Sequence, residues 1–204
     1  MAADQPTSSE SSNSLQSTLL RGVRAQDPEA WQRLVDLFGP LVYGWCRGQQ
    51  LQPADASDVT QDVFRAVANN IERFRRERPG DSFRGWLWTI TRNKIRDLQR
   101  ARGKQPHAVG GTTMMHRVAE VPDEPPSEDS SSTDMVRSTY RRAVEMVRER
   151  FEEPTWQAFW RVAIERDKPA DVAADLGITV NAVRKAKARV LRRLREEFGE
   201  LLDE

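Results

Sequence analysis

Apolar residues recur every three or four positions along most of the chain and alternate nowhere for long. That period belongs to a helix burying one side, not to a half-buried strand, so the predicted fold class is all-α. With 204 residues, 38% hydrophobic and 31% charged, such helices suit one ordinary domain or two small ones better than one large core. Leu15, Leu19, Leu20 and Val23 mark a first helix. Asp27 caps a second with Pro28 in its first turn, and Trp31, Leu34, Val35 and Phe38 form its buried stripe. Gly39-Pro40 predicts a break before the helix resumes over Leu41 to Arg47. Asp55 opens a third helical stretch running to about Phe74, and "SFRGWLWTITRNKIRDLQRAR", Ser82 to Arg102, is the next.

Between Gly103 and Asp134, Gly, Pro and Ser replace the apolar period, which describes a connector. The expected organisation is a disordered polar start over 1–14, a helical domain over 15–103, a flexible acidic linker over 104–134 and a second helical domain over 135–204. In the second domain Val136, Tyr140, Val144, Val147 and Phe151 keep helical spacing. The following helix has Pro154 in its first turn and is expected to bury Trp156, Phe159, Trp160 and Ala163.

The net charge of +1 conceals strong segregation. Arg84, Arg92, Lys94, Arg96, Arg100, Arg102 and Lys104 cluster on one segment, while Glu120, Asp123, Glu124, Glu128, Asp129 and Asp134 follow with no base from Val118 to Met135. Such patterning speaks of partners, although an acidic connector is also simply well solvated. Cys46 is the single cysteine, excluding an intramolecular disulfide, and His107 and His116 have no metal-type ligands nearby. No metal or cofactor is expected. The polar start resembles no signal peptide and no apolar run approaches a bilayer span, so a cytoplasmic location without membrane insertion is expected.

The most specific local pattern is "DVAADLGITVNAVRKAKARVLRRL". A helix-turn-helix needs a small residue where its helices cross, a Gly for the left-handed turn and an apolar anchor facing back; Ala173, Gly177 and Val183 have that spacing. Thr179 is placed to cap the second helix, with Val172, Leu176 and Ile178 in the shared core. Val183, Ala186, Val190 and Leu194 then fall on one face and Asn181, Arg184, Lys185 and Ala188 on the opposite one, a polar-basic surface suited to a major groove. Arg184 and Lys185 reach guanine edges or phosphates, Asn181 pairs with adenine and Ala188 leaves room for a thymine methyl. Arg189, Arg192 and Arg193 are expected to meet phosphates. A helical hairpin with an incidentally basic exterior is the other reading.

A second constellation is "DASDVTQDVFRAV". Asp55, Asp58 and Asp62 recur at i, i+3 and i+7, while Val63, Phe64, Val67 and Ile71 give the buried side. Helix capping and solvation account for such a stripe as well as a protein partner does. An open helix face offers no pocket to perturb a carboxylate, so acid/base catalysis is not expected and no catalytic residue is assigned. In the Ser82 to Arg102 helix, Phe83, Leu87, Ile90, Thr91 and Leu98 form the apolar stripe, and Arg92, Asn93, Arg96, Gln99 and Arg100 the basic one. Lys94 falls on the apolar side. Trp86 and Trp88 lie on opposite borders of the stripe, which excludes one shared stacking platform and favours packing.

In combination and in this order, "DASDVTQDVF", "FRGWLWTITRNKIRD", a linker and a C-terminal helix-turn-helix resemble the extracytoplasmic-function (ECF) sigma factors of bacterial RNA polymerase. The resemblance covers about Leu15 to Arg102 and Val136 to Phe198. It implies that Asp55, Asp58, Gln61 and Asp62 dock on the clamp helices of the polymerase core; Ser57 departs from the Glu common at its position. It further implies that the loop of Arg75, Arg76 and Ser82 captures a flipped base of the minus-ten element, and that Asn93, beside Arg92, lies near that element, with Arg96 and Arg100 on the same basic face. The helix-turn-helix, through Thr179, Asn181, Arg184, Lys185, Ala188 and Arg189, corresponds to the region that reads the minus-thirty-five element while neighbouring helices meet the flap tip. The expected function is that of an alternative sigma factor binding core polymerase and promoter DNA; a stand-alone helix-turn-helix regulator is the alternative. Many members of that family are held inactive by an anti-sigma partner, and no residue here identifies one.

Overall fold

The structure, a computed structural model, describes residues 17–76, 78, 80–103 and 130–202. Those residues form helices and turns with no strand. Two compact units result, one built on Leu19–Thr139 and the other on Tyr140–Gly199. The start expected to be disordered and most of the expected linker lie outside the described residues.

The N-terminal unit contains α1 (Thr18–Arg24), α2 (Pro28–Gly48), α3 (Pro53–Asn70) and α4 (Phe83–Gly103). Asp27 caps α2, its carboxylate accepting from the Glu29 amide at 3.0 Å, and Pro28 occupies the first turn, where its missing N–H costs nothing. The break expected at Gly39-Pro40 does not occur: α2 is continuous with Pro40 inside it. An interior proline costs about 3 kcal/mol. Yet Leu34, Leu37, Phe38, Leu41, Val42 and Trp45 keep one phase across Pro40 and are all buried, each such side chain contributing about 1.5–3 kcal/mol. Pro40 itself is exposed, so its ring meets solvent and not the core. Leu37 was absent from the expected stripe, whereas Trp31 and Val35 are only half-buried.

Helix α3 begins two residues before the expected Asp55 and buries Ala56, Val59, Val63, Phe64 and Val67. A 3-10 turn, Ile71–Arg73, ends it, and Phe74 turns inward to close the core. Aromatic rings knit α2, this turn and α4 together: Phe83 lies 5.0 Å from Phe38 and 5.3 Å from Phe74 between centroids, and Trp86 covers both Phe74 and Phe83. A second pair, Trp45 and Trp88, meets edge to face at 5.3 Å. Such pairs add about 0.5–1.5 kcal/mol beyond their buried area.

Helix α5 (Ser130–Met146) begins in the N-terminal unit and passes into the C-terminal one at Tyr140, where α6 (Glu153–Ala163), α7 (Pro169–Asp175) and most of α8 (Val180–Leu202) follow. Helix α5 begins at Ser130, so the last five residues assigned to the linker, 130–134, are helical. Its buried side is also rotated from the expected stripe: Thr139 and Ala143 are buried while Tyr140 is 39% exposed and Val136 and Val144 are half-buried, although Val147, just past the helix end, is buried as expected. The Thr139 hydroxyl donates to the Met135 carbonyl at 3.0 Å, so burying it leaves no donor unpaired. On α6, Trp156, Ala158 and Phe159 are buried, but Trp160 and Ala163 remain half-exposed. Trp160 uses its edge, donating from Nε1 to Glu165 at 3.1 Å, with the Arg141 guanidinium 5.8 Å from its ring centroid.

Candidate protein and nucleic-acid interfaces

Four expected sites occupy defined surfaces of the two units. On α3, the hydroxyl of Ser57 turns back to the Pro53 carbonyl and the carboxyl-bearing side faces outward. Asp58, Gln61 and Asp62 are exposed, and Asp62 is held lightly by Arg65 at 2.8 Å. Asp55 differs. Its side chain is only 16% exposed and accepts from the Nη2 of Arg102, in the last turn of α4. The outward row is therefore Asp58, Gln61 and Asp62, at i, i+3 and i+4, without Asp55.

In the loop before α4 the arginines fold onto the loop's own backbone. Arg75 donates from Nη1 to the Glu72 and Phe74 carbonyls at 2.6 and 2.9 Å, and Arg76 donates from Nε to the Asp81 carbonyl at 2.9 Å. The Asp81 carboxylate accepts from the Arg78 amide at 2.8 Å, and Gly80, at φ +97°, supplies the left-handed turn that closes this bend. Ser82 caps α4, its Oγ accepting from the Gly85 amide at 3.0 Å. Phe74 is anchored from the other side by Arg24, whose Nη2 donates to its carbonyl at 2.7 Å. The segment expected to capture a base is thus braced by its own charged groups.

Along α4 the apolar stripe is as expected at Phe83, Leu87, Ile90 and Thr91, all buried, with Leu98 half-buried. Thr91 satisfies its hydroxyl on the Leu87 carbonyl at 2.8 Å. Trp88 and Ile95 join this buried side, at 7% and 4% exposure, which the wheel had not assigned to them. Trp86 stays half-exposed at the border. Opposite, Arg92 and Asn93 are half-buried at the base of the face, whereas Arg96 and Arg100 stand outward, Arg100 sharing Asp97 at 3.2 Å. Lys94 is half-buried, consistent with a stem laid along apolar surface.

The helix-turn-helix is built as its spacing predicts. Ala158, Val172, Ala173, Val183 and Ala186 form its core, with Val162, Leu176, Ile178 and Val180 around them. Gly177 has φ +64°, and the Thr179 hydroxyl accepts from the Ala182 amide at 3.1 Å. Asn181, Arg184, Lys185, Ala188 and Arg189 are exposed, and the side chains of Arg184, Lys185 and Arg189 make no ion pair among the described residues. Arg193, expected to meet phosphate, is instead bound to the buried Glu197 at 2.9 Å. Arg161 is a structural residue that the sequence pattern missed. It ties the end of α6 to Asp167 and Asp175 at 2.8 and 2.9 Å, bracing the helix that precedes the turn, and these partners raise its pKa further.

Other chemistry is sparse. Among the described residues no group of His, Cys, Asp and Glu is placed to hold a metal ion, and no helix is long and apolar enough to cross a membrane. His107 and His116 lie outside the described residues. Cys46 is buried, and burial pushes its thiol up to about 11 despite an opposing hydrogen bond with Thr60.

Comparison with known proteins bears directly on these surfaces. Residues 34–105, which contain α3, the braced loop and α4, match the Sigma-70 region 2 family. The ECF RNA polymerase sigma factor SigD of Mycobacterium tuberculosis (strain H37Rv) is 28% identical over 179 residues, covering 85% of this chain and 79% of SigD. RNA polymerase sigma factor CnrH of Cupriavidus metallidurans is 37% identical over 73 residues, 36% of this chain and 37% of CnrH. The solved structure of CnrH in complex with the cytosolic domain of CnrY aligns with 86% of this chain and 92% of that one, at 22% identity and a TM-score of 0.35. The region 2 match and the two sequence relatives support an ECF RNA polymerase sigma factor, an alternative sigma factor directing transcription initiation.

Proposed function

We propose that each exposed face described above carries one step of initiation. Asp58, Gln61 and Asp62 dock on the clamp helices of the polymerase core, α4 and the loop before it engage the minus-ten element, and α8 reads the minus-thirty-five element. The helices around α8 meet the flap tip. The observation that carries this reading is the opposition of charge on α3 and α4: two helices with buried apolar sides turn a carboxylate row and an arginine row to solvent.

Energetics favour a polyanion on α4. Arg92, Arg96 and Arg100 stack at i, i+4 and i+8, and like charges at that spacing repel by about 0.2–0.5 kcal/mol per pair in an isolated helix. A phosphate backbone lying along them relieves that repulsion and releases counterions. Opening a duplex costs a few kcal/mol per flipped base. Capture of one base contributes about 1–3 kcal/mol, so one captured base and several phosphate contacts suffice to nucleate melting. The chain supplies specificity, and the nucleotide chemistry belongs to the polymerase. The reading places the protein in the cytoplasm with its polymerase, and it includes an anti-sigma partner, supported by the sequence relative CnrH, whose solved structure is a complex with the cytosolic domain of CnrY.

Transcription reconstituted with core polymerase on promoters the protein occupies in cells tests the whole scheme. Core-dependent initiation is expected. Specific duplex binding by the chain alone, with no initiation in the presence of core, would reject it in favour of a stand-alone regulator. Asp58→Arg with Asp62→Arg should weaken core binding; an unchanged core affinity rejects that row as the docking face.

A further inference from the structure

We infer that Asp55 is a positioning residue for the DNA-facing end of α4 and not a member of the polymerase-docking row. The inference rests on the proposed role of α4 and assigns to Asp55 and Arg102 a joint task within it. Asp55 stands in the first turn of α3 and Arg102 in the last turn of α4, 47 positions later, and the guanidinium Nη2 donates to the carboxylate Oδ1.

Three features make this pair more than a chance surface contact. First, the Asp55 side chain is 16% exposed, against 50% for Asp62, so its carboxylate is withdrawn from the row that a protein partner would meet. Second, each charge sits where its own helix favours it, an anion at an N-terminus and a cation at a C-terminus. Third, α4 outruns its core. Ile95 is its last fully buried residue, and Arg102 lies seven residues further, about 10 Å along the axis at 1.5 Å per residue. Leu98 is only half-buried on that overhang, which carries the outward Arg96 and Arg100. Without an anchor at its far end, the overhang has little but helix stiffness to hold those two arginines in register with a phosphate backbone. The ion pair supplies that anchor, and it fastens the arginines to the helix that bears the docking row.

Charge alone and positioning predict opposite signs for the same substitution. Removing a carboxylate near a DNA-binding face should raise affinity for DNA if the carboxylate acts only through its charge. Positioning requires a loss.

The experiment uses the full chain with core polymerase and compares Asp55→Asn, Arg102→Asp, Asp55→Arg, the exchange Asp55→Arg with Arg102→Asp, and Asp58→Arg as a docking control. Core affinity, open-complex formation by permanganate reactivity and the urea midpoint are read for each. Asp55→Asn and Asp55→Arg are expected to lower open-complex formation by about threefold to fivefold, the range of a partly exposed ion pair, with core affinity unchanged and the chain still folded by its urea transition. Arg102→Asp should do the same, and the exchange should restore part of the loss, since the pair is rebuilt while each charge then opposes its own helix dipole. A fall in core affinity at Asp55→Arg as large as at Asp58→Arg, with no recovery in the exchange, overturns the inference and returns Asp55 to the docking row. Increased opening by Asp55→Asn also overturns it, since a carboxylate acting through charge alone gives that sign. If Asp58→Arg leaves core affinity intact while the exchange still rescues opening, the docking row fails and the positioning pair stands.

Discussion

The two units hold their outward faces by different means. In the N-terminal unit, Phe38, Phe74, Phe83 and Trp86 interlock, and Trp45 meets Trp88, so the direction of α4 is set by large rings in mutual contact. The helix-turn-helix of the C-terminal unit centres instead on Ala158, Val172, Ala173, Val183 and Ala186, none larger than valine, although the rings of Trp156 and Phe159 are buried nearby on α6, and Arg161 clasps two carboxylates outside that cluster. Large rings fix orientation through area and shape, so they fail when atoms are removed. Small residues fix orientation by letting helices approach closely, so they fail when atoms are added.

That contrast is open to direct test. Phe83→Ala should be the most damaging change, destabilising by about 3–5 kcal/mol as buried rings do on truncation, with urea denaturation of the full chain as the readout; a loss below about 1 kcal/mol would mean that neighbouring rings collapse into the space. Ala173→Leu should cost about 1–3 kcal/mol by overpacking, whereas Ala173→Gly should not match it. If the two substitutions were equally harmful, close approach would not be what the helix-turn-helix core requires. Arg184→Ala or Lys185→Ala should leave folding intact and weaken minus-thirty-five recognition by about 1–3 kcal/mol where a base is contacted; an equal loss on every sequence, read in competition binding, makes the residue a phosphate contact. Smallest of the series, Thr179→Ala should cost about 1 kcal/mol through the lost cap, with Thr179→Ser recovering most of it in the same denaturation assay.

What the sequence disclosed followed helical period and local spacing. The all-α class, the opposed faces of α4 and the arrangement of Ala173, Gly177, Thr179 and Val183 are properties of single helices or one turn, where neighbours in sequence are neighbours in space. Misjudged features depended on energies or partners that a wheel does not contain. Pro40 reads as a breaker locally, but the phase of the buried residues on both sides outweighs it. Tyr140 has the right character for a core and the wrong phase, because the small Thr139 and Ala143 occupy the buried side. The pairing of Asp55 with Arg102 and the clasp of Arg161 join separate elements, and no spacing rule announces them. Arg75 and Arg76 were legible as cations but not as braces, since their acceptors are backbone carbonyls.

Cys46 gives the N-terminal unit a built-in clock. It is the single thiol of the chain, buried in α2 and near Thr60 of α3. With its folded pKa raised to about 11, it holds its proton more tightly than in the unfolded chain, so the associated stability is complete below the unfolded value and is lost as pH rises through about 11. At neutral pH a reagent that alkylates thiolates therefore reaches it only when α2 and α3 part. The labelling rate counts those openings, and a ligand that clamps the unit will slow the count without touching the sulfur.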